Sequence, residues 1–368
     1  MKMLLAATIL TLAMAGVAVA GDAEWTFYGV AHASINSLSN GSNHQLGLTS
    51  NTSRFGLKGT SKVNNDFTAF WQVESKLDQA GNTGSDGTMV GTRNTFVGVQ
   101  NESAGKFIVG RHDTPFKALG RKVEMFPDQM GDFRSLTMGW DERQGEIAAW
   151  VSPDWDGFSI FAAYQFDLNS ADATYDATSF SAMGTYTNEH LMIGAAYQGF
   201  SRGYGDYYYG EGGPTAKRLV GKYTAKQFEL AGLYQTTSEY QNRSLYGLSG
   251  NYHVNGQWNL KGAMFIYNDD TDARDYETSD GWKIDEGDTR ATMIVVGVER
   301  VFSENVLVYA QAASVNNHDG LIDSEGEYAS LGGHDSGFGT SVSGTWSYGG
   351  YDGWQDPAGF SVGTVISW

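Results

Sequence analysis

Phe67-Thr68-Ala69-Phe70-Trp71-Gln72-Val73-Glu74-Ser75-Lys76-Leu77 alternates along its length. Phe67, Ala69, Trp71, Val73 and Leu77 share one face, while Thr68, Gln72, Glu74 and Lys76 share the other. A period of two sends successive side chains to opposite faces of an extended strand. A strand of roughly ten residues also has the length needed to cross a bilayer at a tilt. The same pattern recurs at both ends of the chain, in Trp25 to Ile35 and in Phe360 to Trp368, where Phe360, Val362, Ile366 and Trp368 share a face.

Working outward from this stretch, sixteen strands are predicted. They lie near 24–36, 52–63, 67–77, 92–101, 105–111, 143–152, 157–168, 178–188, 190–200, 215–225, 227–238, 243–254, 257–268, 288–300, 304–316 and 357–368. Their connections alternate in length. Asn64-Asn65-Asp66, Asn188-Glu189, Ala225-Lys226, Asn255-Gly256 and Ser303-Glu304 are short, whereas 37–51, 78–91, 112–142, 201–214, 269–287 and 317–356 are long. A β-sandwich gives no reason for every second connection to be long. An all-β transmembrane antiparallel barrel does, with short periplasmic turns on one rim and long external loops on the other. Sixteen strands leave a lumen too wide for side chains to fill, hence an aqueous channel. Closure removes the edge strands that hydrocarbon would not tolerate.

Composition fits this reading. The chain has 48 Gly, 5 Pro and 13% aromatic residues, which suits many strands joined by turns better than disorder. Cys is absent, so neither a disulfide framework nor a thiolate site is available. The net charge of −18 argues against a nucleic-acid partner, which would need clustered cations. Residues 1–20 hold Lys2, an apolar run from Met3 to Val19 and the small-x-small ending Ala18-Val19-Ala20. This is the layout of a secretory signal peptide, leaving 21–368 as one barrel domain. Trp25, Phe67, Trp155, Phe158, Tyr186, Trp258 and Trp368 fall near predicted strand ends, as interfacial aromatic belts require.

The segment 112–142 is the longest interruption in the first half of the chain, and loops of that length are usually functional. It contains Glu124-Met125-Phe126-Pro127-Asp128-Gln129-Met130-Gly131-Asp132. Folded inward and carrying carboxylates, it would narrow a lumen that the wall alone leaves wide. Pro127 to Asp132 resembles the Pro-Glu-Phe-Gly-Gly-Asp stretch in the third loop of the trimeric general-diffusion porins of Gram-negative bacteria, with Glu124 matching an upstream acid. Gly110 to Lys117 resembles that family's exit from strand five. Ser53-Arg54-Phe55-Gly56-Leu57-Lys58-Gly59 and Thr92 to Gly98 resemble its second and fourth strands, and Trp368 matches its terminal Phe. The resemblance runs in order over essentially the whole mature chain.

The resemblance implies a homotrimer in the bacterial outer membrane, in contact with lipid and lipopolysaccharide. Each channel would pass small hydrophilic solutes and ions by diffusion, without enzymatic activity or a cofactor. It assigns Glu124, Asp128 and Asp132 to an acidic constriction and Arg54, Lys58, Arg93 and Arg143 to a basic wall. Parity supports Arg54 and Lys58, which lie opposite Phe55 and Leu57. Opposed rows of charge would set a transverse field that favours dipolar solutes over apolar ones. Departures from the family thin the basic wall: Ala149-Trp150-Val151-Ser152-Pro153 lacks an Arg, and Val30 stands where a lumen Lys is usual, with His32 the nearest cation. The pore is therefore expected to lean toward cations.

A substrate-selective channel for a sugar or organic anion is the alternative, and would call for an aromatic ladder along the lumen. Asp269-Asp270-Thr271-Asp272 and Asp285-Glu286-Gly287-Asp288 read as acidic external loop rather than a calcium loop, lacking its Gly and terminal Glu. Tyr204 to Glu211 reads as an aromatic loop tip. The seven His are scattered without metal-ligand spacing, and no G-x-S-x-G or H-E-x-x-H occurs.

Overall fold

The computed structural model describes residues 23–39, 44–78, 80, 91–137, 140–166, 178–201, 213–238, 243–269, 289–318 and 357–368. The expected leader at 1–20, the acidic runs at 270–272 and 285–288, and the aromatic stretch 204–211 lie outside them.

Strand β1 spans Glu24–Ser39 and β2 has two halves, His44–Ser50 and Arg54–Lys62. They are followed by β3 (Thr68–Lys76), β4 (Thr95–Asn101) and β5 (Gly105–Asp113). Helix α1 (Pro115–Arg121) and a 3₁₀ turn (Phe133–Leu136) interrupt the series. The chain resumes with β6 (Arg143–Val151), β7 (Phe158–Gln165), β8 (Ser179–Thr187), β9 (Leu191–Phe200), β10 (Thr215–Thr224) and β11 (Phe228–Ser238). It ends with β12 (Arg243–His253), β13 (Trp258–Asp269), β14 (Thr289–Ser303), β15 (Val306–His318) and β16 (Ala358–Ser367).

Every strand pairs antiparallel with its sequence neighbour. β1 pairs both with β2 and with β16, from Val30 opposite Ser367 to Ser39 opposite Ala358, which closes the sheet. The two halves of β2 form one barrel strand because β1 pairs with each in turn. The interruption at Asn51–Ser53 has a physical origin. Thr52 takes φ 56°, unusual for a β-branched residue. The β1 backbone holds it there: the Asn51 N–H donates to the His32 carbonyl at 2.8 Å and the His32 N–H donates to Ser53 Oγ at 2.8 Å.

The long loop expected at 37–51 is not present. β1 runs on to Ser39 and β2 begins at His44. The density of Ser, Asn and Gly there concealed a continuing alternation, in which Leu46 and Leu48 point outward while Asn36 Nδ2 donates to Thr49 Oγ1 at 2.7 Å.

Outward side chains along the barrel are large and apolar. Leu248 is 65% exposed and Val296 57%, as a hydrocarbon-facing band requires. No described helix is long and apolar enough to cross a membrane; the strands do so. The inner wall is polar in part, but two stretches are apolar. The larger brings together Met192, Ala216, Leu233, Leu245, Phe265, Met293, Val295 and Val315 from β9 to β15. The smaller joins Ile108, Ile147, Ala149, Phe161 and Ala163 from β5 to β7. These patches break the polar-inside rule, and the segment between β5 and β6 covers them.

Candidate pore constriction

The chain leaves β5 at Asp113 and turns at once into α1. Thr114 caps the helix, its hydroxyl accepting from the Lys117 N–H at 3.2 Å, and Pro115 occupies the first turn, where its missing N–H costs nothing. The apolar residues that follow face the larger inner patch. Phe116 and Leu119 are fully buried, and Phe126, Phe133 and Leu136 nearly so. At about 1.5–3 kcal/mol for each large apolar side chain removed from water, this packing is the main force that keeps the loop inside the lumen. Gly131 lies so close to β14 that a Cβ there would meet Val295 Cγ1 at 2.4 Å.

One ion pair pins the loop's end to the wall. Arg218 of β10 is fully buried. Its Nη1 donates to Asp141 Oδ1 at 2.7 Å and its Nη2 to Asp141 Oδ2 at 2.6 Å. Nη1 also donates to the Phe116 carbonyl at 3.0 Å, and the guanidinium lies 4.1 Å from the centre of the Phe116 ring. Gln235 Oε1 accepts from Nε at 3.1 Å. Every face of this buried cation is therefore met, as burial of a charge demands.

The three acids assigned from sequence converge, but two of them are internal to the loop. Glu124, half-buried, accepts from the Phe126 N–H at 2.7 Å and the Phe133 N–H at 3.1 Å. Asp132 is fully buried, accepts from the Asp128 N–H at 2.8 Å and caps the 3₁₀ turn through the Arg134 N–H at 3.0 Å. Asp128 takes φ 58°, a conformation Asp tolerates better than most residues. Its carboxylate meets Arg134 Nη2 at 2.6 Å and Arg121 Nη2 at 3.0 Å. It also faces the wall, 4.0 Å from Arg54 Nη1.

Environment divides these acids. Burial would raise the Asp128 carboxyl, but the Arg121 and Arg134 guanidiniums outweigh it and hold it well below the usual carboxylate range. Asp141 is likewise held low against burial by Arg218. Glu124 is raised well above the usual range, first by burial and then by the neighbouring Asp132, with the Phe126 N–H opposing.

On the wall, Arg54 and Arg93 converge on Glu74 of β3. Arg93 Nε lies 2.8 Å from Glu74 Oε1 and Arg54 Nε 3.7 Å from Oε2, while the Tyr28 hydroxyl donates to Oε2 at 3.0 Å. Lys58 is exposed, with Nζ 5.2 Å from the centre of the Tyr28 ring. Arg143 stands apart from this group. Its Nη2 lies 2.9 Å from Asp113 Oδ1 and its Nε donates to Asn94 Oδ1 at 2.6 Å, where Lys117 Nζ also meets Asp113 at 3.3 Å. His32 is buried in the wall, its Nε2 2.9 Å from the Tyr309 hydroxyl.

Glu74, Arg121, Arg134, Asp141 and Arg218 were not singled out in the sequence. Arg218 carried a signal, as one cation between Ala216 and Val220 on a face otherwise free of charge at that end of β10. Arg121 and Arg134 lie within the loop but outside its resembling stretch, so that the loop brings its own cations to its own acids.

The comparisons with known proteins agree with the barrel fold. A family model described as Gram-negative porin matches residues 6–320. Outer membrane porin PhoE of Escherichia coli is 25% identical over 219 residues, 54% of this chain and 58% of PhoE. Major outer membrane protein P.IB of Neisseria meningitidis is 26% identical over 204 residues, 52% of this chain and 59% of that protein. The chain thus spans less than two thirds of the length of these curated relatives. Among solved structures, an anion-selective porin from Comamonas acidovorans superposes with a TM-score of 0.72 at 19% identity, over 94% of this chain and all of the other. A trimer form of OmpT, an outer membrane protein of Vibrio cholerae, superposes with a TM-score of 0.62 at 18% identity, over 94% of this chain and 99% of the other. With a closed barrel of sixteen strands and a matching family model over most of its length, this chain belongs to the Gram-negative porin family and resides in the bacterial outer membrane.

Proposed function

We propose that this protein is a passive channel for small hydrophilic solutes and ions. The observation that carries the reading is the loop 113–142, seated on the inner wall by apolar packing and by the Arg218–Asp141 pair. A loop held in this way narrows a water-filled barrel without closing it, and no moving part is required. Asp128 on the loop and Arg54 on the wall face each other at the narrowing, with Arg93, Lys58 and Arg143 extending the basic side. Glu124 and Asp132 act mainly by holding the loop's shape. A homotrimer is the proposed assembly, by similarity to the family, with outer-membrane lipid and lipopolysaccharide around it. Residues 1–20 serve as the export signal.

The substrate-selective alternative would draw on an aromatic track. Phe70, Phe96, His112 and Phe161 do form a chain of ring contacts, with centroids 6.0, 5.1 and 5.7 Å apart. Phe161 is 4% exposed, however, and the cluster packs against Ala118 of α1. It supports the loop rather than lining a path, which favours general diffusion.

Liposome swelling tests the reading. Proteoliposomes in isotonic sugar are expected to swell at rates that fall smoothly with solute size and rise linearly with concentration. Absence of swelling with the smallest sugars would remove the channel reading; saturation by one solute would favour the selective one.

A further inference from the structure

A recess of about 290 Å³ opens at the external root of the loop. Its walls come from the external ends of β3, β5 and β6, the residues just before β4, and both ends of the loop. Lys76, Arg93, Arg111, Lys117 and Arg143 line it, with Thr92, Asp141 and Glu142 the remaining lining residues. Five cations thus face one space in a chain whose net charge is −18.

The acids nearby, Glu142 of the lining among them, cancel only part of this charge. Asp141 is already held by Arg218, and Asp113 is shared between Lys117 and Arg143. Glu74 engages Arg93 and Arg54 from below. Among the described residues, Lys76 and Arg111 have no ion-pair partner, and both are exposed. A concave site lined by one sign of charge focuses the field and raises the local concentration of the opposite ion. The volume is that of about nine or ten liquid waters, enough for a small hydrated anion. The planar guanidinium of Arg111 suits an oxygen pair on an anion, and Lys76 adds a point charge, while Lys117 and Arg143 stand behind them bound to Asp113.

We propose that this recess binds small doubly charged oxyanions, phosphate and sulfate being the simplest, ahead of the narrowing. The inference deepens the channel reading by naming the class of solute that the entrance concentrates. It also reverses the lean toward cations that the thinned basic wall suggested, because Asp128 and Asp132 of the loop are matched by Arg121 and Arg134 whereas the recess carries a surplus of cations.

Two measurements separate the site from the channel. Titration calorimetry of the full chain in detergent with inorganic phosphate at pH 8 is expected to show one saturable site per chain. Binding should weaken at least about tenfold in Lys76→Gln/Arg111→Gln, which removes two charge-assisted contacts. It should be unchanged in Lys62→Gln/Lys106→Gln, which removes equal charge at the opposite rim. In planar bilayers at fixed ionic strength, phosphate is expected to depress the chloride current saturably over the same concentrations. No heat of binding in the unmodified chain, or an equal loss in both double variants, would overturn the site. Phosphate binding without any current would leave the site standing and remove the channel reading.

Discussion

Asp141, at the end of the loop, and Arg218, 77 residues further along on β10, meet through two hydrogen bonds of 2.7 and 2.6 Å with both side chains out of solvent. Removing one partner strands a buried charge, which typically costs about 3–5 kcal/mol. Arg218→Met is therefore expected to release the end of the loop. Single-channel records should show larger and noisier open currents, and trypsin should cleave within 113–142 faster than in the unmodified chain. Replacing both partners, as Arg218→Met with Asp141→Leu, should restore much of the quiet behaviour, since apolar residues of similar size suit that pocket.

The loop should be held most firmly at mildly acidic pH. Asp128 and Asp141 are depressed, so their stabilisation is present above the unfolded carboxylate range and is lost as pH falls through their lowered values. Glu124 is raised, so its contribution has the opposite sign. Between the unfolded value of about 4.3 and its raised value the folded chain binds more protons, and stability falls as pH rises through that window. Protease resistance of the loop is expected to decline as pH rises above the ordinary glutamate value of about 4.3 and to flatten in Glu124→Gln. An unchanged slope in the variant would assign the decline to another group.

Arg54 and Arg93 share Glu74, so removing both leaves that carboxylate with only the Tyr28 hydroxyl among its described charge and hydrogen-bond partners on the wall. The reversal potential of Arg54→Ala/Arg93→Ala in a KCl gradient should shift toward cation preference. No shift would mean that these arginines do not act on permeating ions.

Barrel closure depends on Gly29 and Trp368. Each N–H donates to the other's carbonyl at 3.2 Å, and the indole covers the glycine so closely that a Cβ would meet it at 2.2 Å. Phe27 lies beside the same ring, with centroids 6.5 Å apart. Gly29→Val is expected to lower the yield of heat-modifiable folded barrel in refolding gels. Trp368→Phe should fold well and Trp368→Ala poorly.

The barrel was legible because a period of two survives any polar substitution on one face, and because turns and loops alternate in length. The break in β2 was not legible. Thr52 adopts its conformation because its neighbours Asn51 and Ser53 bond to His32, a partner on another strand. The seat of the loop was hidden for a related reason. In Ala291-Thr292-Met293-Ile294-Val295-Val296 both faces of β14 are apolar, one for lipid and one for Phe126, Gly131 and Phe133, so alternation alone cannot tell which is inside. The acids assigned to the constriction came from resemblance, as did Arg54, whereas the loop's own cations did not. Arg121 and Arg134 act through pairings set by the folded loop, and Arg218 through one set by the barrel.

Single-channel conductance of the purified protein in planar bilayers bears most directly on the central claim, a water-filled barrel narrowed by a fixed internal loop. Discrete steps are expected whose size rises in proportion to KCl concentration at high salt, where fixed charge is screened, and whose open level increases in Arg218→Met. Absence of steps, or an open level in Arg218→Met identical to that of the unmodified protein, would contradict it.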